Sequence, residues 1–114
     1  VRLSASRHDR AVAMVSHLPH AAAVALAGCA LRGADARRLA STGFLGATRT
    51  AVSSPRLWEG ILLANRGPLA AALRGLERDL GGMRRLLTRG DRRALRRLLA
   101  AAARARRALG ADGC

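Results

Sequence analysis

The sequence predicts an all-α domain, and three observations carry that expectation. Half of the 114 residues are apolar, enough for one core in one domain. The only aromatic residues of the phenylalanine, tryptophan and tyrosine types are Phe44 and Trp58, so Leu, Ala and Val must fill that core. These are mostly helix formers, and the β-branched and aromatic runs that mark strands are missing. The chain therefore reads as a single helical domain over 1–114. It should have a long kinked N-terminal helix and a C-terminal antiparallel helical hairpin.

The first helix is expected from Ser6 to Arg32, with Ser6 as its cap, Asp9 in its first turn and Gly33 at its end. Pro19 lies midway. It should bend the helix and leave the Val15 carbonyl without its usual donor. A short helix follows over Ala34–Ser41. The stretch GFLGATRTAV, with two glycines and two threonines, reads as a turn and an irregular helical segment. Ser53 or Ser54 then caps another helix, with Pro55 in the first turn, where proline is favoured. Pro68 should break or kink that helix near Gly67. Beyond it, Leu69, Leu73, Leu76, Leu80, Met83 and Leu87 step by four and three along a heptad seam. Gly90 stops this helix and Asp91 caps the last one. Its apolar positions Leu95, Leu98, Leu99, Ala102 and Leu109 let it fold back on the seam. The end from Gly110 onward is expected to fray. So much Leu and Ala surface must be hidden, within the hairpin or against a second copy.

Composition narrows the function classes. The formal net charge is +14, and all 21 basic residues are arginine. Such an excess favours polyanions in a salt-dependent way. Ala, Arg, Leu and Gly dominate together, as coding bias in a GC-rich genome would produce. No stacking aromatics, zinc finger or RNA-binding signature accompanies the charge, so nucleic acid is not the expected partner. The longest uncharged apolar run, Ala21 to Leu31, is too short to cross a bilayer, and no membrane partner is expected. The opening VRLSASRHDR has neither an apolar signal core nor an initiator Met, and reads like a cut from a longer chain. Cys29 and Cys114 form no Cys-x-x-Cys pattern and suggest no disulfide framework, which fits a reducing cytoplasm.

The stretch VSHLPHAAAVALAG places Ser16, His17 and His20 on an apolar helix. At about 100° per residue, Ser16 and His20 lie about 40° apart and His17 falls within the same ~100° arc. His8 lies about 80° to the other side of Ser16, two turns lower. Zinc would need further ligands at suitable spacing, and His-Glu-x-x-His is absent. A serine nucleophile would need an exposed elbow, and Gly-x-Ser-x-Gly is absent. Two readings remain: histidines satisfied within the fold, or a wall of donors for hydroxyl or carboxylate oxygens.

His8-Asp9 followed by Val15-Ser16-His17-Leu18-Pro19-His20 resembles the second domain of prephenate dehydrogenases. In order, GFLGATRTA is similar to that family's glycine-rich segment ending in Thr-Arg. SSPRLWEGILLANRGPLAAAL is similar to its Ser-x-Pro-x-Leu-Trp-x-x-Ile-x-x-x-Asn segment. The resemblance extends from about His8 to Leu109. One departure stands out: Gly46 occupies a place, before the Thr-Arg pair, where the family often has an acidic residue.

The resemblance implies a substrate-binding and dimerisation domain of an enzyme that oxidises prephenate, or in close relatives arogenate. Oxidation of prephenate proceeds with loss of carbon dioxide and gives 4-hydroxyphenylpyruvate for tyrosine synthesis. It implies NAD or NADP, bound by a Rossmann domain upstream or on a separate polypeptide, and a homodimer. That other domain would carry the catalytic histidine. Gly-x-Gly-x-x-Gly is absent from these 114 residues. Carried over by position, Arg49 of the Thr48-Arg49 pair is the carboxylate-holding arginine. Ser16, His17 and His20 belong to the pocket wall, His8 is the helix-start histidine and Trp58 lies near the pocket. Asn65 is expected to cap or brace backbone rather than touch a ligand. Two alternatives stay open: a stand-alone helical module that binds an aromatic acid without dehydrogenase activity, and a basic polyanion-binding protein.

Overall fold

The structure, a computed structural model, describes residues 2–110. They are helical almost throughout, and no strand occurs among them. The all-α expectation holds. The chain divides into two compact units, the first ending at Arg74 and the second beginning at Gly75. Fraying is expected from Gly110 onward; Gly110 itself closes α7, and residues 111–114, Cys114 included, lie outside the described residues.

In the first unit, α1 (Ala5–Val12) runs into a π-helical turn (Ala13–His17) and then α2 (Leu18–Ala30). The cap is Ser4, not Ser6: its Oγ accepts the Arg7 N–H at 3.2 Å. Helix therefore begins earlier than expected, and Asp9 falls beyond the first turn. Where a bend is expected the rod has the π turn, in which the Leu18 N–H reaches back five residues to the Ala13 carbonyl. Proline has no N–H and its ring crowds the carbonyl four residues back. Widening the turn just before Pro19 absorbs both defects, and Pro19 then sits in the first turn of α2.

Helix α2 stops at Ala30, short of Arg32. Gly33 does not terminate it; with extended backbone it stands as the N-cap of α3 (Ala34–Leu39). The Arg37 guanidinium donates to the Leu31 carbonyl at 2.7 Å and covers the exposed end of α2. Next come α4 (Thr42–Ala47) and a 3-10 turn (Arg49–Val52), which packs against α2. Ser54 caps α5 (Pro55–Ala64) by accepting the Leu57 N–H at 3.3 Å. The break before α6 (Arg66–Arg89) falls at Asn65 rather than Gly67. Pro68 does not kink the helix, because it occupies the first turn of α6, where a missing N–H costs nothing.

Continuity from α1 through α2 corrects one sequence-based inference. Ala5–Ala30 is long and apolar enough, by length and composition, to cross a membrane. Judging by the uncharged run alone understated it. The same rod turns His17 and His20 inward against α5 of its own chain, while most of its other side chains, Met14, Val15, Val24 and Leu26 among them, stay exposed.

The second unit contains the rest of α6 and α7 (Arg92–Gly110). Gly90 adopts φ 66°, the left-handed conformation that ends a helix. Asp91 caps α7 by accepting the Ala94 N–H at 3.1 Å. Leu95 shares a recess with Leu86 and Leu87 beside the turn, and Leu98 shares a groove with Leu76, Met83 and Leu86. That order of neighbours is the expected hairpin.

Burial is uneven. The buried residues are Ala13, Ala23, Leu69, Ala72, His17, His20 and Thr48, all in the first unit. Along the heptad seam Leu80 and Leu87 remain 54% and 60% exposed, and Leu99 on α7 is 56% exposed.

Glycine substitutions test these backbone assignments. Gly90→Ala should cost about 1–2 kcal/mol, because a Cβ is strained at positive φ. Gly60→Ala should stabilise by about 0.5–1 kcal/mol, because Gly60 lies inside α5 with open space around it. Urea unfolding of both variants, at equal chain concentration, measures the pair.

Candidate functional site

The polar centre of the first unit forms where the π turn and α2 meet α5. His20 is 5% exposed and stacks on Trp58, with ring centroids 3.7 Å apart and planes 12° apart. His17, also buried, meets the same tryptophan edge-on at 6.5 Å and 82°. Trp58 is half-buried and stands on α5 one turn after the Ser54–Pro55 start. Stacking and edge contacts of this kind add about 0.5–1.5 kcal/mol beyond simple burial. They also fix both imidazole planes.

Asn65, at the end of α5, completes the arrangement. Its Nδ2 donates to the Asp9 carbonyl at 2.9 Å and lies 3.2 Å from His17 Nδ1. A cleft of about 330 Å³ opens there, lined by His8, Asp9, Val12, His17, Ile61, Ala64 and Asn65. On an unbroken α-helix His8 and His17, nine positions apart, would point about 180° from one another. The extra residue of the π turn removes about 100° of that angle, and both reach one cleft.

The site residues expected from the sequence divide into groups. His17, His20 and Trp58 are together, and His8 shares the cleft with His17 while remaining exposed beside Asp9. Ser16 is exposed and does not line this cleft. The small wheel angle to His20 suggested a shared face, but the loosened turn leaves Ser16 outward while His20 is buried. No hydrogen bond links its hydroxyl to either imidazole, so nothing here activates it as a nucleophile. Thr48 is buried and its Oγ1 donates to the Phe44 carbonyl at 2.8 Å. Arg49 follows it, exposed, on the 3-10 turn that packs on α2. It does not line the His8–His17 cleft and forms no ion pair among the described residues.

Asn65 has one contact beyond the role expected of it. As expected, it braces backbone, through the Asp9 carbonyl. Its second contact, to an imidazole, crosses 48 positions in sequence, and no local pattern announces it. Among the described residues no group of three His, Cys, Asp or Glu could hold a metal ion. Cys29 is exposed and unpaired.

Residues 4–101 match the family model described as prephenate dehydrogenase, dimerization domain. The chain belongs to the prephenate dehydrogenase family. A cyclohexadienyl dehydrogenase of Zymomonas mobilis is 36% identical over 95 residues, 78% of this chain and 32% of the relative. Among solved structures, prephenate dehydrogenase from A. aeolicus, in complex with hydroxyphenyl propionate and NAD+, superposes with a TM-score of 0.85 at 30% identity. That match covers 94% of this chain and 39% of the other. Synechocystis arogenate dehydrogenase gives a TM-score of 0.86 at 28% identity, covering 91% and 40%. The chain thus spans about a third of the length of the Zymomonas relative.

A Rossmann-type nucleotide site is not among the elements described. Binding a dinucleotide pyrophosphate on a Rossmann turn takes a strand, a glycine-rich turn and a helix N-terminus. The described residues include no strand and the sequence no Gly-x-Gly-x-x-Gly.

Removing the aromatic plate should loosen the whole centre. Trp58→Ala is expected to cost about 2 kcal/mol, through lost burial and lost ring contacts. Trp58→Phe should recover about half of this. Denaturant unfolding followed by far-ultraviolet circular dichroism gives both values.

Proposed function

We propose that this chain is the substrate-binding and dimerisation part of a dehydrogenase that oxidises prephenate or arogenate with loss of carbon dioxide. With prephenate the product is 4-hydroxyphenylpyruvate. NAD or NADP accepts the hydride, held by a nucleotide-binding domain upstream or in trans. The observation that carries the reading is the grouping of His17 and His20 on Trp58 within a fold matched to this family over 4–101. The NAD+ and hydroxyphenyl propionate of the A. aeolicus relative support the choice of ligands.

Each side chain has a plain chemical task on this reading. Arg49 offers a guanidinium with no ion pair among the described residues, suited to grip a substrate carboxylate through two parallel hydrogen bonds. His17 and His20 offer ring nitrogens to hydroxyl or carboxylate oxygens. Trp58 holds those rings in place and gives the wall an aromatic surface. Ser16, His8 and Thr48 are the remaining candidates for substrate contact. These groups bind and orient; the hydride step lies with the nucleotide.

The exposed leucines support the dimer. Among the described residues the second unit buries none of its side chains. Apolar surface of that extent on α6 and α7 calls for a partner, and a second copy is the one the dimerization-domain match supports.

Two measurements test the reading. In the enzyme completed by its nucleotide domain, Arg49→Ala should raise KM for prephenate at least about ten-fold, the scale of a charge-assisted hydrogen bond, with nucleotide affinity unchanged. Unaltered kinetics would remove Arg49 from the site. Sedimentation of this chain should give twice its 12.0 kDa mass. Leu87→Glu combined with Leu99→Glu should shift it to a monomer; a wild-type monomer at micromolar concentration would overturn the dimer.

A further inference from the structure

We infer that Asn65 is a positioning residue that fixes His17 as the neutral tautomer protonated on Nε2. The inference follows from one atom with two partners. Asn65 Nδ2 lies 2.9 Å from the Asp9 carbonyl oxygen and 3.2 Å from His17 Nδ1. A backbone carbonyl only accepts hydrogen bonds. The atom facing it must therefore be the amide nitrogen, which settles the orientation of the Asn65 side chain. An amide nitrogen carries two protons and accepts none. One goes to Asp9, and the other points at His17 Nδ1, which must present its lone pair. The imidazole proton is left on Nε2.

That assignment gives His17 a direction. Among the described residues the only buried side-chain nitrogen or oxygen without a partner is His20 Nδ1. His17 Nε2 has no hydrogen bond among the described residues, so it is not sealed from its surroundings and stays open as a donor. A lone pair is cheaper to bury unpaired than an N–H, so His20 also keeps its proton on Nε2. The two rings, held against one tryptophan, then present N–H donors rather than acceptors. Oxygen atoms of a hydroxyl or carboxylate fit such a pair; a ligand N–H does not. The use of these donors for substrate rests on the function proposed above, whereas the tautomer rests on geometry alone.

The test is nitrogen NMR of this chain labelled with 15N-histidine, its three histidines assigned by single substitutions. His17 Nδ1 should resonate as a pyridine-type nitrogen and Nε2 as a pyrrole-type one. Asn65→Asp replaces the donor by an acceptor and should move the proton to Nδ1, leaving the His8 and His20 signals in place. A pyrrole-type Nδ1 in the unmodified chain overturns the inference, and needs no variant to fold. So does a His17 spectrum that Asn65→Asp leaves unaltered. In the enzyme completed by its nucleotide domain, Asn65→Asp should raise KM for prephenate about ten-fold, the worth of one good hydrogen bond, with kcat less affected. A moved proton with unaltered KM would overturn the positioning role while leaving the tautomer standing. Failure of Arg49→Ala to alter KM would count against the substrate assignment and leave the NMR result untouched.

Discussion

Pro19 is the constraint on which the site depends. It denies the helix one N–H and crowds one carbonyl, and the chain answers with a π turn over Ala13–His17. The turn is more than a repair. Its extra residue rotates everything before it by about one residue's angle relative to everything after it. Without that rotation Asp9 and His17, eight positions apart, would leave the rod about 80° apart with regular spacing, and His8 would face away from His17. With it, one asparagine from α5 reaches both the Asp9 carbonyl and the His17 ring. A single local defect in α1–α2 thus sets a tertiary contact 48 and 56 positions away.

What the sequence made legible was local chemistry. Ser54 before Pro55, Asp91 before α7 and Gly90 between helices each carry a cap or turn whose cause lies within four residues. Gly33 and Pro68 misled because each residue type has two uses at a helix boundary. Glycine ends a helix or starts one, and proline breaks a helix interior but suits its first turn. The helical wheel grouped Ser16 with His20 because it assumed constant winding, and constant winding fails at Pro19. Arg49 could not be told from twenty other arginines by charge; only its place in a recognisable string singled it out. Asn65 had no signal at all beyond its position in such a string, since its partners come from a different helix.

The two units divide the physical burden differently. The first buries four apolar residues and three polar ones, a small core closed largely by ring contacts and hydrogen bonds. The second buries none among the described residues and keeps leucines on both of its helices exposed. Helices with a regular apolar seam gain most of their stability from packing that seam away. A chain that leaves Leu80, Leu87 and Leu99 exposed defers that gain, on the proposed reading, to a second copy. On the proposed reading, the site and the dimer are thus supported by different parts of the sequence, joined by the single helix α6.

The energetics of His20 point the same way as its geometry. Burying its Nδ1 without a partner costs about 1–3 kcal/mol. The stack on Trp58 returns about 0.5–1.5 kcal/mol beyond area burial. The two terms offset at best, so the imidazole does nothing for folding that a leucine of similar volume would not do more cheaply. The same holds for His17, whose hydrogen bond to Asn65 restores one of its nitrogens and leaves the other open. Two polar rings in a core this small are therefore not accounted for by stability. Departures from the cheapest core belong, as a rule, to the places where a protein meets its ligand.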